Sequence, residues 1–221
     1  FVTEAKIMVS NKTSIDMPAG PSEVYVVSND KNKIHIIASD LLSQLEHSTD
    51  AKAVFVTKNK NLINDLKDEL NKQKKVLKRQ DILKRSFSNI YLASAKSDDE
   101  IIEFINSNAP EHLILLDEDF AKFTPYINNA GSVFCGKYSP ESFGDYASGS
   151  NHTLPTNSYA KTYSGLSVKD FGKVITFQTA SPEGFLNLAP TVSILANAES
   201  LDAHEKAVSI RKNLASSEIL L

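Results

Sequence analysis

SEVYVVSNDKNKIHIIASDLLSQLEH, Ser22 to His47, changes its hydrophobic period in mid-course. Val24 to Val27 (VYVV) is an unbroken β-branched and aromatic run bounded by Pro21 and Asn29, which reads as a short strand. From there the apolar residues fall at Ile34, Ile37, Ala38, Leu41, Leu42 and Leu45, a spacing that lines one face of a helix. Strand followed by helix is the repeating step of a parallel sheet, and the alternation continues. AVFV (Ala53 to Val56) predicts a second strand, followed by a charged amphipathic helical region from Asn61. IYLA (Ile90 to Ala93) predicts a third, followed by a helix that Ser97 caps ahead of Asp98, Asp99 and Glu100. LILL (Leu113 to Leu116) and SVF (Ser132 to Phe134) extend the series. The expected fold class is α/β: a mostly parallel sheet with helices on both faces, its functional loops gathered at the carboxyl ends of the strands.

The flanks differ. FVTEAKIMVSN begins without Met and reads directly as a helix up to Asn11, so the chain looks cut or without its beginning. After Ser158 the strand pattern stops, and Ser181 to Glu199 and Leu201 to Ala215 read as two helices, the first opened by Ser-Pro at Ncap and N1. These breaks divide the chain into 1–21, an α/β domain over 22–165, and a small helical C-terminal segment over 166–221, with the boundary near Gly165.

Composition bounds the function. The 221 residues are 41% hydrophobic with a net charge of -3, enough to bury a sizeable core and without the clustered positive field that nucleic acid or an anionic membrane surface requires. The basic run Lys74 to Arg85 is interleaved with Leu and Asp and reads as a solvated helix face. No apolar run approaches the ~20 residues that span a bilayer, and Phe1 opens no signal-peptide pattern. Cys135 stands alone in an apolar setting, which excludes an intrachain disulfide and suits packing better than a nucleophilic thiolate. The expected location is the cytoplasm.

Five histidines can be weighed singly. His35 reads as a surface residue. Gln44 and His47 lie one helical turn apart and share a face, a spacing that by itself reads first as an exposed helix end and only secondarily as a ligand pair. Glu111 and His112 stand side by side just before a strand; they read first as a surface pair, and otherwise as two proton acceptors, one for a substrate hydroxyl and one for a water. His204 sits on the last helix, where a solvent-facing histidine is the default. Asp145 and His152 belong to GDYASGSNHTLPT (Gly144 to Thr156), a polar loop between glycines and Pro155. Together Gln44, His47, Asp145 and His204 offer a mixed oxygen and nitrogen set of the kind that binds zinc or manganese with positions open for substrate.

DMPAGPSEV (Asp16 to Val24), ASDLLSQLEH (Ala38 to His47), NAPEHL (Asn108 to Leu113), SPESFGDYASGSNHTLPT (Ser139 to Thr156) and SLDAHEKAVSIRKN (Ser200 to Asn213) closely resemble histidinol dehydrogenase, in that order and over the whole chain. The resemblance implies a zinc-dependent enzyme that oxidises L-histidinol through L-histidinaldehyde to L-histidine, reducing two NAD. It implies zinc ligands at Gln44, His47, Asp145 and His204 and a catalytic pair at Glu111 and His112. It places Ser22, Gln44, His47, His112, Asp145, His152, Glu199 and His204 against the substrate. The loop would put Asp145 on the metal and His152 on the substrate, with Gly144 and Gly149 permitting its turns. A homodimer is implied, each zinc site taking His204 from the other copy through a swapped C-terminal segment. The resemblance covers the C-terminal half of the family's chain, so residues 1–21 look like the tail of a cofactor domain that holds most of the NAD site. Two alternatives stay open: a non-catalytic fragment lacking that site, and a zinc hydrolase on the same ligands.

Overall fold

The computed structural model describes residues 1–219, which fall into two compact units, one over Phe1–Gly172 and one from Lys173 onward. The first unit continues seven residues beyond the break expected near Gly165, and its last element is a short 3-10 turn, Val168–Phe171, on a Ser167–Asp170 capping box.

That unit opens with α1 (Val2–Val9) and then alternates β1 (Glu23–Val27), α2 (Ile34–Leu45), β2 (Lys52–Thr57), α3 (Asn61–Lys74), α4 (Gln80–Ser86), β3 (Ile90–Ser94), α5 (Asp98–Asn108), β4 (His112–Leu115), β5 (Ser132–Cys135) and α6 (Glu141–Tyr146). All strand pairings are parallel, in the order β3-β2-β1-β4-β5. The chain therefore builds outward from β1 on one side, then crosses back to lay β4 on the other. Right-handed crossovers put the two halves' connections on opposite faces. Val24, Val26, Phe55 and Ile114 meet α2, α3 and α4 on one face; Tyr25, Val27, Val54, Val56 and Leu113 meet α5 and Phe123 on the other. Burial on both sides is why VYVV is continuously apolar rather than alternating.

Local signals act as the sequence implies. The Ser97 hydroxyl accepts the Glu100 N–H at 3.2 Å, and the Ser181 hydroxyl accepts the Gly184 N–H at 3.1 Å. In the second unit, α7 (Pro182–Ala198) and α8 (Asp202–Ile219) pack on each other with Ala189 and Ala196 buried. None of the described helices is long and apolar enough to cross a membrane.

The carboxyl ends of β1 and β4, where a doubly wound sheet reverses and usually binds its ligand, are filled by the chain itself. Asp117 accepts the Asn29 N–H at 2.7 Å and the Ser28 hydroxyl, and Lys33 donates to the Leu116 carbonyl at 3.1 Å. The titratable cluster described below forms at the opposite, amino edge, contrary to the expectation drawn from the fold class.

One close approach ties fold to that edge. Gly131 donates its N–H to the Pro110 carbonyl at 2.9 Å, and a Cβ built on it would stand 2.5 Å from the Glu111 carbonyl oxygen, with Leu154 at 3.2 Å behind. Gly131→Ala is expected to destabilise the protein by about 1–3 kcal/mol, the usual cost of forcing atoms into a packed site. Urea unfolding measures it; an unchanged midpoint would show that the Glu111 backbone yields freely.

Candidate active site

Four chain segments deliver side chains to the amino edge. α5 ends at Ala109, held left-handed at φ 48°, and Pro110 follows, so the chain turns sharply into Glu111 and His112 at the start of β4. β1 begins alongside with Glu23. α2 runs towards the same edge, with Gln44 in its last turn and His47 just beyond. A helix C-terminus carries partial negative charge and favours a cation there. α6 supplies Glu141 and Asp145, four residues apart and thus on one face.

Glu23 is the hub, through its peptide rather than its side chain. Its N–H donates to Glu111 Oε2 at 2.8 Å, and its carbonyl lies 3.2 Å from His112 Nδ1. A carbonyl only accepts, so Nδ1 carries the proton and Nε2 keeps its lone pair. That Nε2 lies 3.9 Å from Asp145 Oδ1. Glu111 and Glu141 each approach His112 Nδ1, at 3.6 and 3.8 Å. Glu111 is 3% exposed, His112 4% and Glu141 3%.

Burial governs the charges. It pushes Glu111 up to about 8, against the Glu23 N–H bond and with the charges of Glu23 and Asp145 adding to the rise. It likewise pushes Glu141 up to about 8, helped by the negative charges of Asp145, Glu111 and Asp40. Asp40, one turn before Gln44 on α2, rises to about 7 by burial alone. Three carboxyl groups stand within 4 Å of His112, yet its pKa is lowered, because desolvation outweighs the Glu23 carbonyl bond and the charge of Asp145, and His47 adds to the lowering.

The donor set fits a metal ion. Gln44 is 0% exposed, and both its amide oxygen and its amide nitrogen lack a hydrogen-bond partner. Such a group is costly unless something binds it. His47, Glu141 and Asp145 each place one ligand atom within 4.8 Å of the others. Imidazole, carboxylate and amide oxygen, with no thiolate, suit zinc or manganese.

The sequence-derived residues divide between the units. Ser22, Gln44, His47, Glu111, His112, Asp145 and His152 lie in the first; Glu199 caps the C-terminus of α7 and His204 lies in the first turn of α8, both exposed, in the second. Glu111 and His112 are buried rather than a surface pair. Ser22 is half-buried and favours the ionised Glu111. His152 is exposed, in the segment whose Leu166 N–H donates to the Thr153 carbonyl. Two expectations about the polar loop need correction. Asp145 lies in α6 rather than in a loop, and Gly144 is helical: the Phe134 ring would stand 2.7 Å from a Cβ there. Gly149 does take a positive φ, 83°. Cys135 packs beside the second-face cluster, and burial raises its thiol away from the thiolate form. Sequence reasoning missed Glu23, Asp40 and Glu141; the available signal was acidic residues spaced four before Gln44 and four before Asp145.

The family model for histidinol dehydrogenase matches residues 1–212. The chain belongs to the histidinol dehydrogenase family. It is 47% identical over 212 residues to histidinol dehydrogenase of Haemophilus influenzae, and 47% identical over 212 residues to that of Bacteroides fragilis, in each case 96% of this chain and 50% of the relative. The crystal structure of histidinol dehydrogenase from Elizabethkingia anophelis matches with a TM-score of 0.92 at 42% identity, over 98% of this chain and 50% of that one. The chain spans about half the length of these histidinol dehydrogenases.

The buried acids set a pH dependence for the metal-free protein. Glu111 and Glu141 ionise near 4.5 when unfolded and near 8 when folded, so between those values the folded state binds more protons and stability falls as pH rises. His112, with a lowered pKa, acts oppositely only below its ordinary value of 6.5. From pH 6.5 to 8 the metal-free protein should therefore lose on the order of 3 kcal/mol, and zinc should restore more stability at pH 8 than at 6.5. Denaturant titrations at the two pH values, with and without zinc, decide it; stability rising towards pH 8 without metal would contradict the burial argument.

Proposed function

We propose that the whole protein works as a zinc-dependent histidinol dehydrogenase in the cytoplasm, oxidising L-histidinol through L-histidinaldehyde to L-histidine with two NAD. The observation that carries this reading is Gln44, a fully buried amide with neither polar atom partnered, one turn from His47, in a chain of this family. Gln44, His47 and Asp145 would hold the zinc, with His204 from the second copy of a homodimer completing the set. The dimer reading draws support from Leu188, Ile194, Leu195, Ile210 and Leu214, large apolar residues that α7 and α8 leave exposed. Residues 1–21 are assigned to the tail of the cofactor domain, 22–165 to the α/β domain and 166–221 to the swapped helical segment. Ser22, His152 and Glu199 complete the substrate contacts.

When bound, zinc supplies a Lewis-acidic anchor for the amine and imidazole nitrogens of the substrate, and NAD supplies the hydride acceptor. His112 starts neutral with its Nδ1 proton held by the Glu23 carbonyl, so Nε2 takes the hydroxyl proton as the carbinol carbon gives up hydride. The imidazolium that forms has Asp145 3.9 Å from Nε2, and the charge of that carboxylate stabilises it. Glu111, with one oxygen fixed on the Glu23 N–H, takes a proton from the water that adds to the aldehyde. Loss of a second hydride from the hydrate, its hydroxyl proton passing to His112, gives the acid.

Because burial raises Glu111, the water-consuming step should speed up with pH towards about 8. The test is NADH formation by the full-length protein from L-histidinol and, separately, from L-histidinaldehyde. His112→Asn should slow oxidation of the alcohol by about a hundredfold or more, whereas Glu111→Gln should chiefly slow that of the aldehyde and remove its pH rise. No L-histidinol-dependent NADH, or full activity after chelation of zinc, would refute the reading.

A further inference from the structure

Glu141 stands with His47 and Asp145 in the candidate metal set, but the proposed function gives it no task of its own. It opens α6, one turn before Asp145, with its carboxylate buried at 3% exposure. Its Oε2 has no hydrogen-bond partner, and its Oε1 lies 3.8 Å from His112 Nδ1, whose proton is already directed at the Glu23 carbonyl. Among the described residues no Lys or Arg pairs with it, and Asp40, Glu111 and Asp145 surround it with further acids. A carboxylate enclosed in this way accepts hydrogen bonds, and its Oε2 finds no donor among the described residues. The donor must therefore arrive with a ligand.

The ring of His112 orients that ligand. Asp145 stands on the Nε2 side, where the substrate hydroxyl must lie to give up its proton, and Glu141 stands on the Nδ1 side. A donor one carbon–carbon bond from the carbinol carbon would reach along the ring from one side to the other. We propose that Glu141 is the acceptor for the substrate's amino group, its free oxygen taking an N–H hydrogen bond and so selecting a vicinal amino alcohol over the same alcohol without the amine. This rests on the functional reading of the same site. Glu141 also stands with His47 and Asp145 in the candidate metal set, so the proposal requires that a bound ion leave its carboxylate outside the ligands, where it would fix a metal-held nitrogen as carboxylates fix metal-bound imidazoles.

The test uses the full-length protein loaded with zinc and two probes: L-histidinol and 3-(imidazol-4-yl)propan-1-ol, which differ only in the amine. Zinc affinity is read separately by competition with a chromophoric chelator. In Glu141→Gln, calorimetric binding of L-histidinol should weaken about tenfold or more, the scale of losing a charge-assisted hydrogen bond. The desamino alcohol should bind within about twofold of its wild-type affinity, and zinc affinity should stay within about threefold. A parallel collapse of zinc affinity would make Glu141 a metal ligand and overturn the proposal. Equal losses for both alcohols, or none for either, would overturn it as well. If Glu141→Gln does not fold, Glu141→Asp, which keeps the charge and shortens the reach, is read by the same criteria. Wild-type protein that binds neither alcohol would instead refute the functional reading, and the proposal with it.

Discussion

The candidate site depends on the parallel pairing of β1 with β4, in which Val24 lies opposite His112. That register brings the peptide groups of Glu23, the first residue of β1, to the start of β4. The N–H holds Glu111 and the carbonyl fixes the tautomer of His112, so one residue's backbone prepares both members of the pair. A register shift by one residue would turn His112 to the other face of the sheet. The pairing is in turn secured by the crossover through α5, whose left-handed end and following proline set where β4 begins. Beyond β4, Gly131 lets β5 approach the Glu111 carbonyl closely enough for the Ser132 N–H to donate to it at 2.8 Å.

The same arrangement concentrates acids in a dry place. Glu23 has Lys52 at 3.7 Å and the Asn157 N–H at 3.1 Å, but among the described residues Asp40, Glu111 and Glu141 have no comparable cation. Isolated buried carboxylates escape the cost of desolvation by staying protonated, which accounts for the upward shifts. A divalent cation reverses that balance by drawing protons off and bringing the acids into use as ligands, bases and acceptors. Binding of such a cation would therefore link metal occupancy to fold stability at this edge.

Much of the architecture was legible in the sequence. Strands buried on both faces leave continuous runs such as VYVV, and the capping serines are local chemistry. The position of the site was not. Ligands collect at the carboxyl ends of parallel strands largely because helix N-termini point there, whereas this cluster uses the C-terminal end of α2 and the first residues of β1 and β4. Asp145 and Gly144 looked like loop residues because GDYAS carries little apolar periodicity, yet Phe134 packs against Gly144 and holds that turn helical. Glu23, Asp40 and Glu141 look in sequence like solvent-facing acids, and only their burial marks them. Gln44 and His47 were chemically suggestive at helical spacing, but the unpartnered amide that makes the case is a fact of packing.

The central claim is that the amino edge of this sheet is a metal site built on Gln44, His47 and Asp145 beside the Glu111–His112 pair. The most direct measurement is an anomalous difference map at the zinc edge from crystals of the full-length, zinc-loaded protein. The account predicts one strong peak per subunit, at coordinating distance from Gln44 Oε1, a His47 ring nitrogen and an Asp145 carboxylate oxygen, about 2.0–2.2 Å for the imidazole and carboxylate contacts. A peak bound elsewhere, or no peak while Gln44 stays enclosed and unpartnered, would contradict it.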